Sequence, residues 1–141
     1  KDSHVGSFSV IGIVLLVIAQ FAFFASPPAD ANFRILLFVP AVSRCCSSLA
    51  VTGLPPMSTS QYADQKKPKS HMVVLTVMLC TFLVAGFLLC GKYGFALVGG
   101  LAGYGLALRR AYKSLEGMNG DIAGFALTLG ELCAVAVYAL V

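Results

Sequence analysis

Apolar residues fill whole stretches of this chain, and polar residues gather in the gaps between them. A run of about twenty apolar residues matches the hydrocarbon thickness of a bilayer. The pattern predicts about five spanning helices, at approximately residues 5–25, 33–52, 72–90, 93–108 and 122–141. The first run, Val5 to Ala25, is broken only by Gln20 and small hydroxyls, and it is long for the apolar core of a signal peptide. Ser26-Pro27-Pro28 through Asn32 then forces a turn, because consecutive prolines cannot continue a helix. The second run is weaker, carrying Pro40, Ser43, Arg44, Ser47 and Ser48, whereas Met72 to Cys90 is interrupted only by Thr76 and Thr81. Gly91-Lys92-Tyr93-Gly94 is short enough to be a tight reversal. The fourth run carries Gly99-x-x-x-Gly103 with Ala107 one turn on, a seam of small residues that admits another helix backbone. These elements predict an all-α fold, a polytopic integral membrane helical bundle, with residues 1–141 as a single transmembrane domain.

Composition agrees with that medium. Hydrophobic residues make up 58% and charged residues 11% of the sequence, against about 25% charged in soluble domains. Mean hydropathy is +0.86. The net charge of +4 lies in loops, a distribution that argues against nucleic acid as a partner. Cys45, Cys46, Cys80, Cys90 and Cys133 lie in or beside apolar runs without metal-binding spacing, as small hydrophobes do. With Lys1 in the cytoplasm, Lys66, Lys67, Lys69, Arg109, Arg110 and Lys113 are there too, leaving Arg34 and Lys92 outside. That bias places the polar loops 53–71 and 109–121 in the cytoplasm.

Candidate chemistry concentrates at the last span. Arg109 and Arg110 precede Gly117-Met118-Asn119-Gly120-Asp121, a glycine-rich turn that permits close backbone approach. Asp121 either caps a helix starting at Ile122 or points at a cation, and free N–H groups at that helix start favour an anion. On a helix Asp121, Gly124, Thr128 and Glu131 follow at spacings of three, four and three, along one face. Glu131 and Arg44 both fall near mid-membrane, where an ionisable group is a functional candidate by default. They either pair with each other, or Arg44 faces a phosphate-bearing substrate. A transporter fragment whose Arg44 and Glu131 line a polar pathway is the non-enzymatic alternative.

The residues also carry a family resemblance. Gly117-Met118-Asn119-Gly120-Asp121-Ile122-Ala123-Gly124 with Glu131 resembles the GG-x-TGD-x-x-GA…E signature of cobalamin synthase, or adenosylcobinamide-GDP ribazoletransferase. Lys1-Asp2-Ser3-His4-Val5-Gly6-Ser7-Phe8 is similar to that family's KDS-R-x-G-x-[YF] stretch, and Pro40 with Ser43-Arg44 to its P-x-x-[SG]-R. Thr128 stands where that family often has a glutamate. The resemblance implies a multi-pass transferase of the inner (plasma) membrane that joins α-ribazole, or its 5′-phosphate, to adenosylcobinamide-GDP and releases GMP. It implies Mg2+ as cofactor, Asp2 and Asp121 toward the metal, Arg44, Arg109 and Lys113 toward phosphates, and Gly117 and Gly120 as points of backbone approach. The family's Asp-rich stretch lies upstream of the KDS element, so this chain is expected to be the C-terminal part of a longer enzyme. It would then be inactive without its N-terminal half.

Overall fold

Inside a bilayer the backbone must satisfy its own polar groups, and an α-helix does so within one segment. A computed structural model describes residues 6–57, 69–115 and 117–141, and among these it shows helices α1 (Ser7–Phe24), α2 (Ile35–Gly53), α3 (Lys69–Cys90), α4 (Phe95–Leu115) and α5 (Gly120–Leu140). Three helical stretches are long and apolar enough to cross a membrane: Ile35–Gly53, Ser70–Leu115 and Gly120–Leu140. The second holds α3 and α4, joined by the 3-10 turn Gly91–Gly94. Gly91 takes φ 56° there, left-handed geometry that suits a residue without a side chain. One expectation needs correction. Residues 109–115, assigned by hydropathy to a loop, are the closing turns of α4. The apolar run stops at Leu108, but nothing from Arg109 to Leu115 breaks a helix before Gly117.

The antiparallel pair of α4 and α5 forms the middle of the bundle, and the glycine seam faces α5. A Cβ on Gly99 would strike Val137 at 2.5 Å, and one on Gly103 would strike the Cys133 sulfur at 2.5 Å. From the other side, a Cβ on Gly130 would sit 3.0 Å from the Tyr104 Cβ and 3.1 Å from the Gly100 carbonyl. Close backbone approach of this kind replaces the hydrophobic drive that lipid cannot supply. Helix α2 lies across both, burying Ile35, Val39, Val42 and Cys46 in a core shared with Leu97, Tyr104, Ala126, Ala134 and Tyr138. Helix α3 packs mainly on α2, and α1 rests on α5.

The outer helices keep their apolar side chains outward: Ile13, Leu15 and Phe21 on α1, Val73, Val77 and Leu88 on α3. A patch that extended is untenable in water and ordinary against lipid. The two ends of the bundle are tied differently. At one, Tyr93 Oη donates to Asp30 Oδ1 at 2.7 Å, and Lys92 Nζ pairs with Asp30 Oδ2 at 3.1 Å and donates to the Val141 carbonyl at 2.8 Å. At the other, the chain leaving α2 meets the turn entering α5.

Candidate functional site

That second junction is built from backbone. Met57 N donates to Met118 O and Met118 N to Pro55 O, both at 2.9 Å, forming a parallel bridge between Pro56 and Met118. A Cβ on Gly117 would fall 2.8 Å from the Met57 Cα. The close approach that Gly117 permits is therefore to the chain's own backbone, and Met118 is buried beneath it. Asn119 follows with extended φ −139° and ψ 175°, and its side-chain oxygen accepts from Ile122 N at 2.8 Å. Asn119 is thus the N-cap, α5 begins at Gly120, and Asp121, expected as the cap, is an exposed first-turn carboxylate. The Gly120 and Asp121 N–H groups have no partner among the described residues. A carboxylate and open N–H groups at a helix start favour, respectively, a cation and an anion at the same place.

Asp121 opens into a cleft of about 480 Å³ between the end of α4 and the start of α5, with Arg110, Ser114, Phe125 and Leu129 among its walls. Arg109 and Lys113, the cations expected here, are exposed but do not line it. Successive residues on a helix point about 100° apart, so facing the cleft selects Arg110 and, one turn later, Ser114. The sequence placed Arg110 in the basic patch but pointed to Arg109 and Lys113 for phosphates, and assigned Ser114 no part. The small-residue seam, continued through Ala107, was the signal for the phase. Ser114 Oγ donates to the Arg110 carbonyl at 3.0 Å, so its proton is engaged within α4. The guanidinium, the hydroxyl and the carboxylate together make a polar rim on an apolar hollow.

The mid-membrane charges go elsewhere. Glu131 Oε1 accepts from Ser43 Oγ at 2.7 Å, and both line a small cavity with Tyr104 and Cys46. The Tyr104 hydroxyl is buried there without a sound hydrogen bond, though the Ser47 side chain lies alongside. Arg44, next to Ser43, points about 100° away to the exposed face of α2 and has no ion-pair partner among the described residues. Among the described residues the Arg44–Glu131 pair is therefore not formed, and Glu131 lines the small cavity while Arg44 does not. Asp121 and Glu131 are likewise separated: Asp121 lines the cleft, and Glu131, about 15 Å further along α5, lines the small cavity. Thr128 spends its hydroxyl on the Gly124 carbonyl at 2.9 Å.

Among the described residues no group of three or more His, Cys, Asp or Glu side chains is gathered to hold a metal. Asp2, the other expected ligand, lies outside the described residues. One carboxylate on an open cleft suits a magnesium ion shared with substrate phosphates better than a dedicated protein cage.

Comparison with known proteins agrees with the motif reading. The family model described as cobalamin-5-phosphate synthase matches residues 1–139. An adenosylcobinamide-GDP ribazoletransferase of Clostridium perfringens (strain SM101) is 31% identical over 147 residues, covering 100% of this chain and 58% of the relative. One from Clostridium botulinum (strain Alaska E43) is 28% identical over 137 residues, covering 94% of this chain and 54% of the relative. The chain thus spans little more than half the length of the curated relatives it matches. No solved structure matches.

Proposed function

The chain belongs to the cobalamin-5-phosphate synthase family, and from that premise we propose that it serves a membrane transferase joining α-ribazole, or α-ribazole 5′-phosphate, to adenosylcobinamide-GDP with release of GMP. In that reaction a ribose hydroxyl oxygen attacks the cobinamide-side phosphorus. A new P–O bond forms, the bond to the bridging oxygen breaks, and GMP leaves with it. The observation that carries the reading is the cleft at the α4–α5 mouth, where Arg110, Ser114 and Asp121 share one rim at the membrane edge. Arg110 would hold a diphosphate oxygen by charge-assisted hydrogen bonds, and the open N–H groups of Gly120 and Asp121 would face another. Asp121 would hold magnesium jointly with the diphosphate, and a bound cation there neutralises charge on the leaving group. The latch between Pro55–Met57 and Met118 fixes the turn from which these groups project.

The cleft belongs on the cytoplasmic side in this reading. Arg109, Arg110 and Lys113 lie at its end of the bundle, and Lys66, Lys67 and Lys69 follow Met57 in sequence. The remaining length of the relatives would complete the site.

Asp121→Asn tests the assignment, because it keeps size and removes charge. In the full-length enzyme in membranes, supplied with adenosylcobinamide-GDP and α-ribazole and followed by mass spectrometry of the corrinoid product, it should lower turnover about a hundredfold at limiting magnesium. Membrane insertion should be unchanged. Activity within a few-fold of wild type would reduce Asp121 to a helix-start carboxylate.

A further inference from the structure

Phe125 is not a wall of the α4–α5 cleft alone. Phe125 and Leu129 also wall a second groove of about 650 Å³ between α1 and α5. Its lining is apolar but for Ser9, with Gly12, Ile13 and Leu16 from α1 and Leu132 from α5. The two hollows meet at the shared Phe125 and Leu129 side chains, and a path across both, from Asp121 to Leu132, would run about 16 Å along α5. One end carries a guanidinium, a hydroxyl and a carboxylate, and the rest is nearly all hydrocarbon. Arg110 and Asp121 do not pair with each other, the ion pair among the described residues being Lys92–Asp30. Gly12 leaves the α1 side open, since a Cβ there would meet nothing within 4 Å.

We propose that this path binds a glycerophospholipid with an aminoethyl headgroup, phosphatidylethanolamine, with its phosphate on Arg110, its ammonium on Asp121 and one acyl chain between α1 and α5. Two charges of opposite sign at the polar end, without an ion-pair partner among the described residues, call for a zwitterion. A glycerol headgroup presents neutral hydroxyls and leaves the Asp121 charge uncompensated, and a choline headgroup has no N–H to donate to the carboxylate. The lipid phosphate would occupy the position assigned above to the substrate diphosphate, so the lipid is the resting occupant and substrate displaces its headgroup. The site stands on the geometry of the path and needs no turnover to detect.

Native mass spectrometry of the purified full-length enzyme, offered equal amounts of phosphatidylethanolamine, phosphatidylglycerol and phosphatidylcholine with identical acyl chains, tests it. Phosphatidylethanolamine should be retained about tenfold over the other two, and Asp121→Asn should erase that preference. Gly12→Leu fills the open groove and should lower its retention about tenfold, with helicity by circular dichroism unchanged. Glycerophosphoethanolamine, the headgroup without chains, should not displace the bound lipid. Equal retention of the three lipids, full retention by Gly12→Leu, or displacement by the bare headgroup would each overturn the site. None of these results touches the transferase proposal, which is read from product.

Discussion

Ser43 has one hydroxyl proton and two acceptors, Pro40 O at 3.1 Å and Glu131 Oε1 at 2.7 Å, in a part of α2 where only 7% of its surface is exposed. Removing the hydroxyl leaves the carboxyl oxygen without its partner, which costs about 1–3 kcal/mol. A double-mutant cycle of Ser43→Ala and Glu131→Leu, followed by thermal melts in detergent, should show coupling of about 0.5–3 kcal/mol. The cycle of Arg44→Met and Glu131→Leu should be additive within about 0.5 kcal/mol, because the two side chains face different surroundings. Coupling in the second cycle and not the first would restore the Arg44–Glu131 pair. At this scale the sequence was only partly legible. It marked Arg44 and Glu131 as the costly mid-membrane charges, but serine beside arginine gives no sign of which of two neighbours turns inward. The cap was ambiguous for a related reason: Asn119 and Asp121 are both good N-caps, and the choice rests on the extended backbone at Asn119.

Between elements, the α4–α5 contact is set by the absence of side chains. A Cβ on Gly130 would sit 3.0 Å from the Tyr104 Cβ, whereas one on Gly105 would meet nothing within 4 Å. Gly130→Val should therefore destabilise the bundle by about 1–3 kcal/mol in a detergent melt. Gly105→Ala should be neutral or stabilise it by up to about 1 kcal/mol, since alanine costs less entropy in a helix. Equal effects would mean that the seam does not hold the pair. The spacing of Gly99 and Gly103 made this seam readable from sequence. Its partner was not readable, because α5 shows its small residues only once the register pairs Gly100 with Ala134 and Gly103 with Cys133. The bridge from Pro55 and Met57 to Met118 was hidden for the same reason, being backbone contact across a long sequence separation. Arg110 illustrates how small the margin was. A basic run at a helix end is visible in any hydropathy plot, but only the helical phase decides which cation lines the cleft with Asp121.

For the whole molecule, the two ends carry different duties. At the end away from the cleft, the Tyr93 hydroxyl and then Lys92 hold the Asp30 carboxyl below its usual range. A carboxyl depressed in the folded state contributes stability above its unfolded value of about 3.9 and loses it as pH falls through the folded one. Melts should thus be insensitive to this group from about pH 5 to 8 and decline below about pH 4, and Asp30→Asn should lower the plateau and flatten that decline. A decline unchanged by Asp30→Asn would assign it to other carboxylates. At the cleft end, the guanidinium that lines the hollow is separated by one position from one that does not. The most direct test sets Arg110→Ala against Arg109→Ala in the full-length enzyme, with kcat/KM for the corrinoid product measured by mass spectrometry. Arg110→Ala should fall about 10- to 100-fold through loss of charge-assisted bonds to phosphate, while Arg109→Ala stays within about threefold. Equal losses, or a greater loss at Arg109, would contradict the cleft as the phosphate site.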